Sequence, residues 1–264
     1  MRVAAWQCRP GPLDVDGNLR RLDEACARAA ARGAEILVTP EMFTTGYGIG
    51  RADVARLAEG PDGPVQAAVA AIARRHALAI VHGHPAPAPG GRAYNAATMT
   101  GPDGVVRGAH RKAHLFGDLD RALFAPSPSA PAAFDADGTR VGLLICYDVE
   151  FPEAVRHLAV AGARVVLVPT ANMSGFDTVQ QVLVRARAAE NECPVVYANY
   201  CGSDPVFEYN GLSLICGPGG EILAAAGPDD EDLLVADLPA PPAGPPPAAS
   251  YLADRRPGLY RDGS

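Results

Sequence analysis

Short apolar runs alternate with longer stretches of helical periodicity along most of this chain. Residues 2–7, 35–38, 78–83, 141–145, 164–169 and 195–199 are apolar and almost free of charge in their interiors. Runs of that length read as interior strands covered on both faces. Between them lie helical patterns. Residues 18–32 place Leu19, Leu22, Ala25, Cys26 and Ala29 on one face, with Asp14 or Asp16 as cap and Gly33 as stop. Residues 64–76 do the same with Val65, Ala68, Val69 and Ile72, and two further helices are predicted over 152–161 and 178–191.

The pattern changes in two places. Strands over 93–100 and 105–110 flank Gly101-Pro102-Asp103-Gly104, and strands over 212–215 and 221–225 flank Gly217-Pro218-Gly219-Gly220. Both are hairpin signals. A short strand near 132–134 and a last one over 233–237 complete the set. Strand–helix–strand units mixed with hairpins predict an α/β fold, with one mixed sheet or two and the helices outside, in a single domain over 1–238. Residues 239–264 read as a stiff Pro-rich linker followed by a tail. The tail, 251–260, carries aromatic and apolar residues and is expected to pack on a surface.

Composition narrows the function classes. The chain has 264 residues, 48% hydrophobic and 20% charged, enough for a sizeable core. Its net charge of −7 lacks the basic footprint that nucleic acid requires, and gives no attraction to an anionic membrane. Neither a leader-like apolar segment nor a window of about 18 apolar residues is present, so a soluble, cytoplasmic protein is expected. The six cysteines, Cys8, Cys26, Cys146, Cys193, Cys201 and Cys216, form no C-x-x-C pair and no zinc-ribbon spacing, which predicts reduced thiols. His82 and His84 share a strand face without a third ligand, so no metal site is expected there.

The chemistry converges on Cys146. The strand leading to it turns polar at Asp148 and meets Pro152, which suits the first turn of a helix. A cysteine at a strand-to-helix elbow is placed to act as a nucleophile, with backbone N–H groups aimed at what it attacks. Taken alone, the run is equally compatible with a buried core thiol. Two more reactive residues sit at strand ends, where ligands of α/β folds bind: Glu41 after Pro40, and Lys112 after the strand over 105–110. A carboxylate can take a thiol proton and return it to a leaving amine. A lysine beside the sulfur favours thiolate and stabilises an oxyanion.

Three blocks carry a family resemblance: Pro40-Glu41-Met42-Phe43, Arg111-Lys112-Ala113-His114-Leu115-Phe116, and the run from Cys146 to Glu153. In order and spacing they resemble the signature blocks of the carbon–nitrogen hydrolase (nitrilase) superfamily. Thr45 to Gly50, His114 to Asp120, Ala198 to Gly202 and the tail resemble its 5-aminopentanamidase (δ-aminovaleramidase) branch, which hydrolyses 5-aminopentanamide in lysine breakdown. The resemblance implies a four-layer α-β-β-α sandwich and a Glu–Lys–Cys triad. Carried over, Glu41 is the general base, Lys112 the transition-state stabiliser and Cys146 the nucleophile, with the backbone N–H of Tyr147 in the oxyanion hole. It implies a second carboxylate after the lysine. The nearest here is Asp120, shorter than the family's glutamate, on a loop that reads as one residue shorter. Glu150 stands where many members carry arginine, and would suit a substrate with an ammonium end or else pair with Arg156. Tyr47 and Asn172 are candidate pocket residues. No cofactor or metal is implied, and a homo-oligomer is. The alternatives within the superfamily are a nitrilase, an N-carbamoyl amine hydrolase and an ω-amidase.

Overall fold

The structure is a computed structural model that describes residues 1–240 and 249–259. Its elements follow in chain order: β1 (Arg2–Gln7), α1 (Val15–Ala31), β2 (Ile36–Val38), α2 (Arg51–Arg56), α3 (Pro64–His76), β3 (Ala79–Ala88), β4 (Arg92–Thr100) and β5 (Val106–Arg111). Next come α4 (Gly117–Leu123), β6 (Ala133–Ala136), β7 (Thr139–Leu143), α5 (Pro152–Val160), β8 (Val165–Pro169) and α6 (Val184–Glu190). The chain then forms β9 (Val195–Ala198), β10 (Cys201–Ser203), β11 (Glu208–Asn210), β12 (Leu214–Cys216), β13 (Ile222–Ala225) and β14 (Asp232–Asp237).

The strands build two six-stranded sheets, ordered β14-β1-β2-β3-β4-β5 and β13-β12-β9-β8-β7-β6, plus a small β10–β11 ladder. Each sheet is mixed. β1, β2 and β3 run parallel, as do β7, β8 and β9, while the outer strands pair antiparallel.

The period-2 geometry of a strand explains why these runs are apolar on both faces. Val165 and Leu167 point between the sheets, with Val3, Val38, Val81, Val141, Leu143 and Val196. Val166 and Val168, the alternate residues of β8, point outward and meet Val155 and Leu158 of α5 and Val184 and Ala188 of α6. The other sheet turns Ala4, Leu37 and Ile80 towards Leu22 and Cys26 of α1 and Val69 and Ile72 of α3. The result is the four-layer α-β-β-α sandwich.

Several elements depart from the sequence reading. Asp14, not Asp16, caps α1: its Oδ1 accepts from Gly17 N at 2.9 Å. β3 runs on to Ala88 despite Pro85 and Pro87, because these lie near the end of its ladder with β4. The helix expected over 178–191 opens with a π-helical turn, Val179–Leu183, before α6. α2 and α4 replace loops, and the β10–β11 pair was not legible in runs of three residues. Among the described residues, no helix is long and apolar enough to cross a membrane.

Residues 241–248 of the Pro-rich run, and 260–264, lie outside the described residues. Ser250 is buried, and its Oγ meets Glu192 Oε2 at 3.0 Å. Leu252 lies in a groove beside Ala159, Gly162 and Pro194, whereas Tyr251 and Leu259 are exposed.

Candidate active site

The C-terminal ends of β2, β5 and β7 bring Glu41, Lys112 and Cys146 to one place. Glu41 sits in the turn beyond β2, and its N–H donates to Thr170 O beyond β8 at 3.1 Å, tying one sheet to the other. That turn packs directly on β3 at Gly83. A Cβ built on Gly83 would stand 2.4 Å from Met42 N, 2.7 Å from Pro40 O and 2.8 Å from the Glu41 carbonyl carbon. The requirement for glycine here is close approach rather than a positive φ.

Lys112 follows β5, and its N–H donates to Asn95 O on β4 at 2.8 Å. Cys146 lies just beyond β7, at the start of a 3₁₀ turn, Cys146–Glu150. Its φ is +46°, and Met42, the residue after Glu41, has φ +51°. Left-handed backbone at such residues costs about 1–3 kcal/mol and persists only where the surroundings impose it.

The side chains form a buried charge cluster. Lys112 Nζ lies 2.7 Å from Glu41 Oε1 and 2.7 Å from Asp120 Oδ2, with all three side chains fully buried. Asn95 Nδ2 donates to the same Glu41 oxygen at 2.6 Å. Asp120 accepts from Tyr47 OH at 2.5 Å and from Phe116 N at 2.9 Å. The shorter side chain of Asp120 reaches the lysine because residues 117–123 form α4 instead of a loop, which turns the carboxylate inward. Glu41 Oε2 is buried and has no hydrogen-bond partner among the described residues. One carboxylate oxygen is thus fixed by Lys112 and Asn95 while the other remains available to a reacting group.

Electrostatics follow from this packing. Burial opposes the charge on Lys112, but Glu41, Tyr47 and Asp120 outweigh it and hold its pKa well above the ordinary lysine range. Burial raises the carboxyl pKa of Glu41, and Lys112 offsets part of the rise. Burial, reinforced by Glu41, pushes the Cys146 thiol far above the usual range for cysteine despite Lys112. The resting sulfur is therefore a thiol whose proton needs an acceptor. Cys146 is also the one cysteine of the six that is partly exposed, although its sulfur lies inside the cluster, and all six are free.

The remaining candidates divide. The ring of Tyr147 packs edge-on against Phe116 at 5.3 Å and Phe151 at 4.9 Å, directly after Cys146. Glu150 does not pair with Arg156. Arg156 Nη2 donates instead to Glu190 O at 2.6 Å. Arg187 supports the turn from behind, with its guanidinium on Val149 O at 3.2 Å and Glu150 O at 2.7 Å. The Glu150 carboxyl is left half-buried, and burial raises its pKa to about 6 against the opposing fields of Lys112 and Arg187. Asn172 has its amide nitrogen engaged by Phe176 O at 3.1 Å and Gln180 Oε1 at 3.0 Å. It belongs to a buried amide network with Asn199 and Asn210, into which the π-helical turn directs Gln180. That leaves its amide without a donor for a substrate.

Sequence reasoning missed Asn95, Gly83, Asp148 and Arg187. One signal was present for Asn95. It has the strand parity of Ala97 and Met99, so a polar side chain occupies an inward position of β4. His82 and His84 stack at 4.9 Å beneath the outer layer, and burial holds both imidazoles neutral at physiological pH.

A thiol at a strained elbow, a fixed ammonium and a carboxylate with one free oxygen make up a set suited to acyl transfer from a carbon–nitrogen bond. Proteins of similar sequence and structure include amidases. A curated relative from Pseudomonas protegens, "Hydrolase in pqqF 5'region", is 47% identical over 263 residues, covering 99% of this chain and 91% of the relative. The 2-oxoglutaramate amidase of Bacillus subtilis is 34% identical, covering 76% of each chain. Among solved structures, a mutant of the amidase from Nesterenkonia sp. AN1 superposes with a TM-score of 0.88 at 37% identity, covering 99% of this chain and 98% of its own. That structure shows the result of Michael addition of acrylamide at the active-site cysteine of the Nesterenkonia enzyme. The profile of the carbon–nitrogen hydrolase family matches residues 2–244, and the chain belongs to that family.

Proposed function

We propose that this chain is a thiol amidase that hydrolyses a small aliphatic amide with an ammonium end, 5-aminopentanamide or a close analogue, to a carboxylate and ammonia. Cys146 Sγ attacks the amide carbonyl carbon while Glu41 Oε2 accepts the thiol proton. The oxyanion is met by Lys112 Nζ and the backbone N–H of Tyr147. Collapse breaks the C–N bond, and Glu41 returns the proton to the leaving nitrogen, which departs as ammonia. Water, deprotonated by Glu41, then attacks the thioester and releases the carboxylate and the thiol. Asp120, steadied by Tyr47, holds Lys112 in place. The observation that carries the reading is the division of labour at Glu41. One oxygen is fixed at 2.7 Å from Lys112 Nζ, and the other is buried without a partner among the described residues. The acrylamide adduct on the Nesterenkonia amidase cysteine supports the role of Cys146.

Support for an ammonium end comes from Glu150, a half-buried carboxyl that makes no side-chain hydrogen bond or ion pair among the described residues, close enough to Lys112 to feel its charge. A second reading, an ω-amidase, draws on the likeness to 2-oxoglutaramate amidase. It requires a cation for the substrate carboxylate, and Glu150 has the opposite sign. Ammonia release from 5-aminopentanamide, pentanamide, 2-oxoglutaramate, an aliphatic nitrile and an N-carbamoyl amine separates the readings. The proposal expects 5-aminopentanamide to lead, and 2-oxoglutaramate in first place would overturn it. We also take the chain to act as a cytoplasmic homo-oligomer, a dimer or higher, without cofactor or metal. Exposed Val160 and Val182 support assembly, and light scattering reads it directly.

A further inference from the structure

The nucleophile turn and the lysine strand end are joined by one carboxylate that the mechanism above does not use. Asp148 lies two residues after Cys146 and is fully buried. Its Oδ2 is 2.8 Å from His110 Nε2 and 3.3 Å from Ile145 N. Its Oδ1 accepts from His114 N at 2.8 Å and Ala113 N at 3.2 Å, and lies 2.8 Å from His114 Nδ1. These groups fall on both sides of Lys112, and Ile145 precedes Cys146. Burial alone would neutralise such a group, but the hydrogen bonds from His110 and His114 outweigh it and keep Asp148 ionised. A carboxylate has about four lone-pair positions, so this one is saturated. It has no acceptor capacity left for a substrate, and its place in the site is mechanical.

We infer that Asp148 is a positioning residue that clamps the Cys146 elbow to the end of β5 and thereby sets the spacing between the sulfur and Lys112. The inference rests on Cys146 and Lys112 acting together as proposed above. Two features of the geometry require such a clamp. Cys146 has left-handed backbone, which a free turn would relax. Cys146 and Lys112 also belong to different sheets, so no strand ladder fixes their separation. Asp148 supplies hydrogen bonds across that gap, and His114 stacks on Phe151 at 3.9 Å, which holds its imidazole in register. A misplacement of about 1 Å between reacting groups can cost on the order of a hundredfold in rate.

The test compares His114→Phe, His114→Asn and Asp148→Asn. His114→Phe keeps an aromatic ring against Phe151 but loses the Nδ1 contact. His114→Asn offers an amide donor near the Nδ1 position. For His114→Phe we expect kcat to fall roughly tenfold with KM changed less than about twofold, and for His114→Asn to recover most of the loss. Asp148→Asn, which presents an amide to N–H donors, should lose on the order of a hundredfold in kcat. A second readout does not depend on the substrate. Cys146 is the one partly exposed cysteine, the other five being buried, so its rate of labelling by iodoacetamide reports the elbow directly. Labelling should slow severalfold in His114→Phe and recover in His114→Asn. Unchanged labelling and unchanged kcat in His114→Phe, or a loss confined to KM, would overturn the clamp. Failure of the amidase reading shows differently, as a wild-type protein that releases no ammonia while the labelling rates still order the variants.

Discussion

Replacing Lys112 with methionine tests the charge cluster more sharply than any other single change. The ammonium lies 2.7 Å from each of two carboxylates, and none of the three side chains touches solvent. At an effective permittivity near 20, each contact contributes about 6 kcal/mol of attraction before desolvation. Desolvation offsets most of that in the wild type. Lys112→Met removes the attraction and leaves both carboxylates buried, which costs about 3–5 kcal/mol. A total stability of about 5–15 kcal/mol leaves a folded but weakened protein, with a melting temperature lower by roughly 10 °C. Glu41 is already held above the ordinary carboxylate range by burial and rises further without Lys112. A raised carboxyl pKa contributes stability that is present below the unfolded value, near 4.3, and is lost as pH rises through the folded one. The deficit of the variant should therefore be smallest near the unfolded carboxylate pKa and grow as pH rises. Urea unfolding at a series of pH values reads this directly. Adding Asp120→Asn should return part of the lost stability, because one unpaired charge is then removed. A Lys112→Met variant as stable as wild type at pH 8 would mean that the ammonium does not hold the two carboxylates in the fold.

Two further changes address specificity and geometry. Glu150→Gln should lower kcat/KM for 5-aminopentanamide roughly tenfold, about 1.4 kcal/mol, while leaving pentanamide unchanged. Because Glu150 ionises near pH 6, the wild-type preference for the amino-amide should grow as pH rises through 6, and Glu150→Gln should flatten that rise. A preference independent of pH and of Glu150 would place ammonium recognition elsewhere. Gly83→Ala forces a methyl group against backbone atoms of the Glu41 turn. Such overpacking costs about 1–3 kcal/mol, and displacement of the base should lower kcat on the order of a hundredfold. Full activity in Gly83→Ala would show that the turn can yield without consequence.

The parts of this molecule that could be read in sequence are those set by local periodicity. The interior strands β2, β7 and β8 show as apolar runs because each is covered on both faces, and their ends carry Glu41 and Cys146 at visible transitions from apolar to polar. Lys112 is legible for the same reason, one residue past a hairpin strand. What escaped depends on partners distant in the chain. Asp120 is an intermediate case: the family resemblance pointed to it, but it lies among Asp118 and Arg121 in a stretch that looks like solvated surface, and its contacts with Lys112, Tyr47 and Phe116 explain why it faces inward. The left-handed backbone of Cys146 leaves no trace in residue type, since cysteine has no intrinsic preference for it. Asp148 looked like an ordinary polar residue opening a turn, and its partners are more than thirty residues away in His110 and His114. Asn172 shows the reverse. A polar residue in a loop after a strand invited a substrate role, and a network of buried amides takes its donors.

In the proposed mechanism Cys146 carries the acyl group. Rapid acid quenching of the enzyme during turnover of 5-aminopentanamide, followed by mass spectrometry of the peptide containing Cys146, measures it. A transient adduct equal to the amide less ammonia is expected on that peptide and not in Cys146→Ala, which should fold normally and release no ammonia. Ammonia release at the wild-type rate from Cys146→Ala would contradict it.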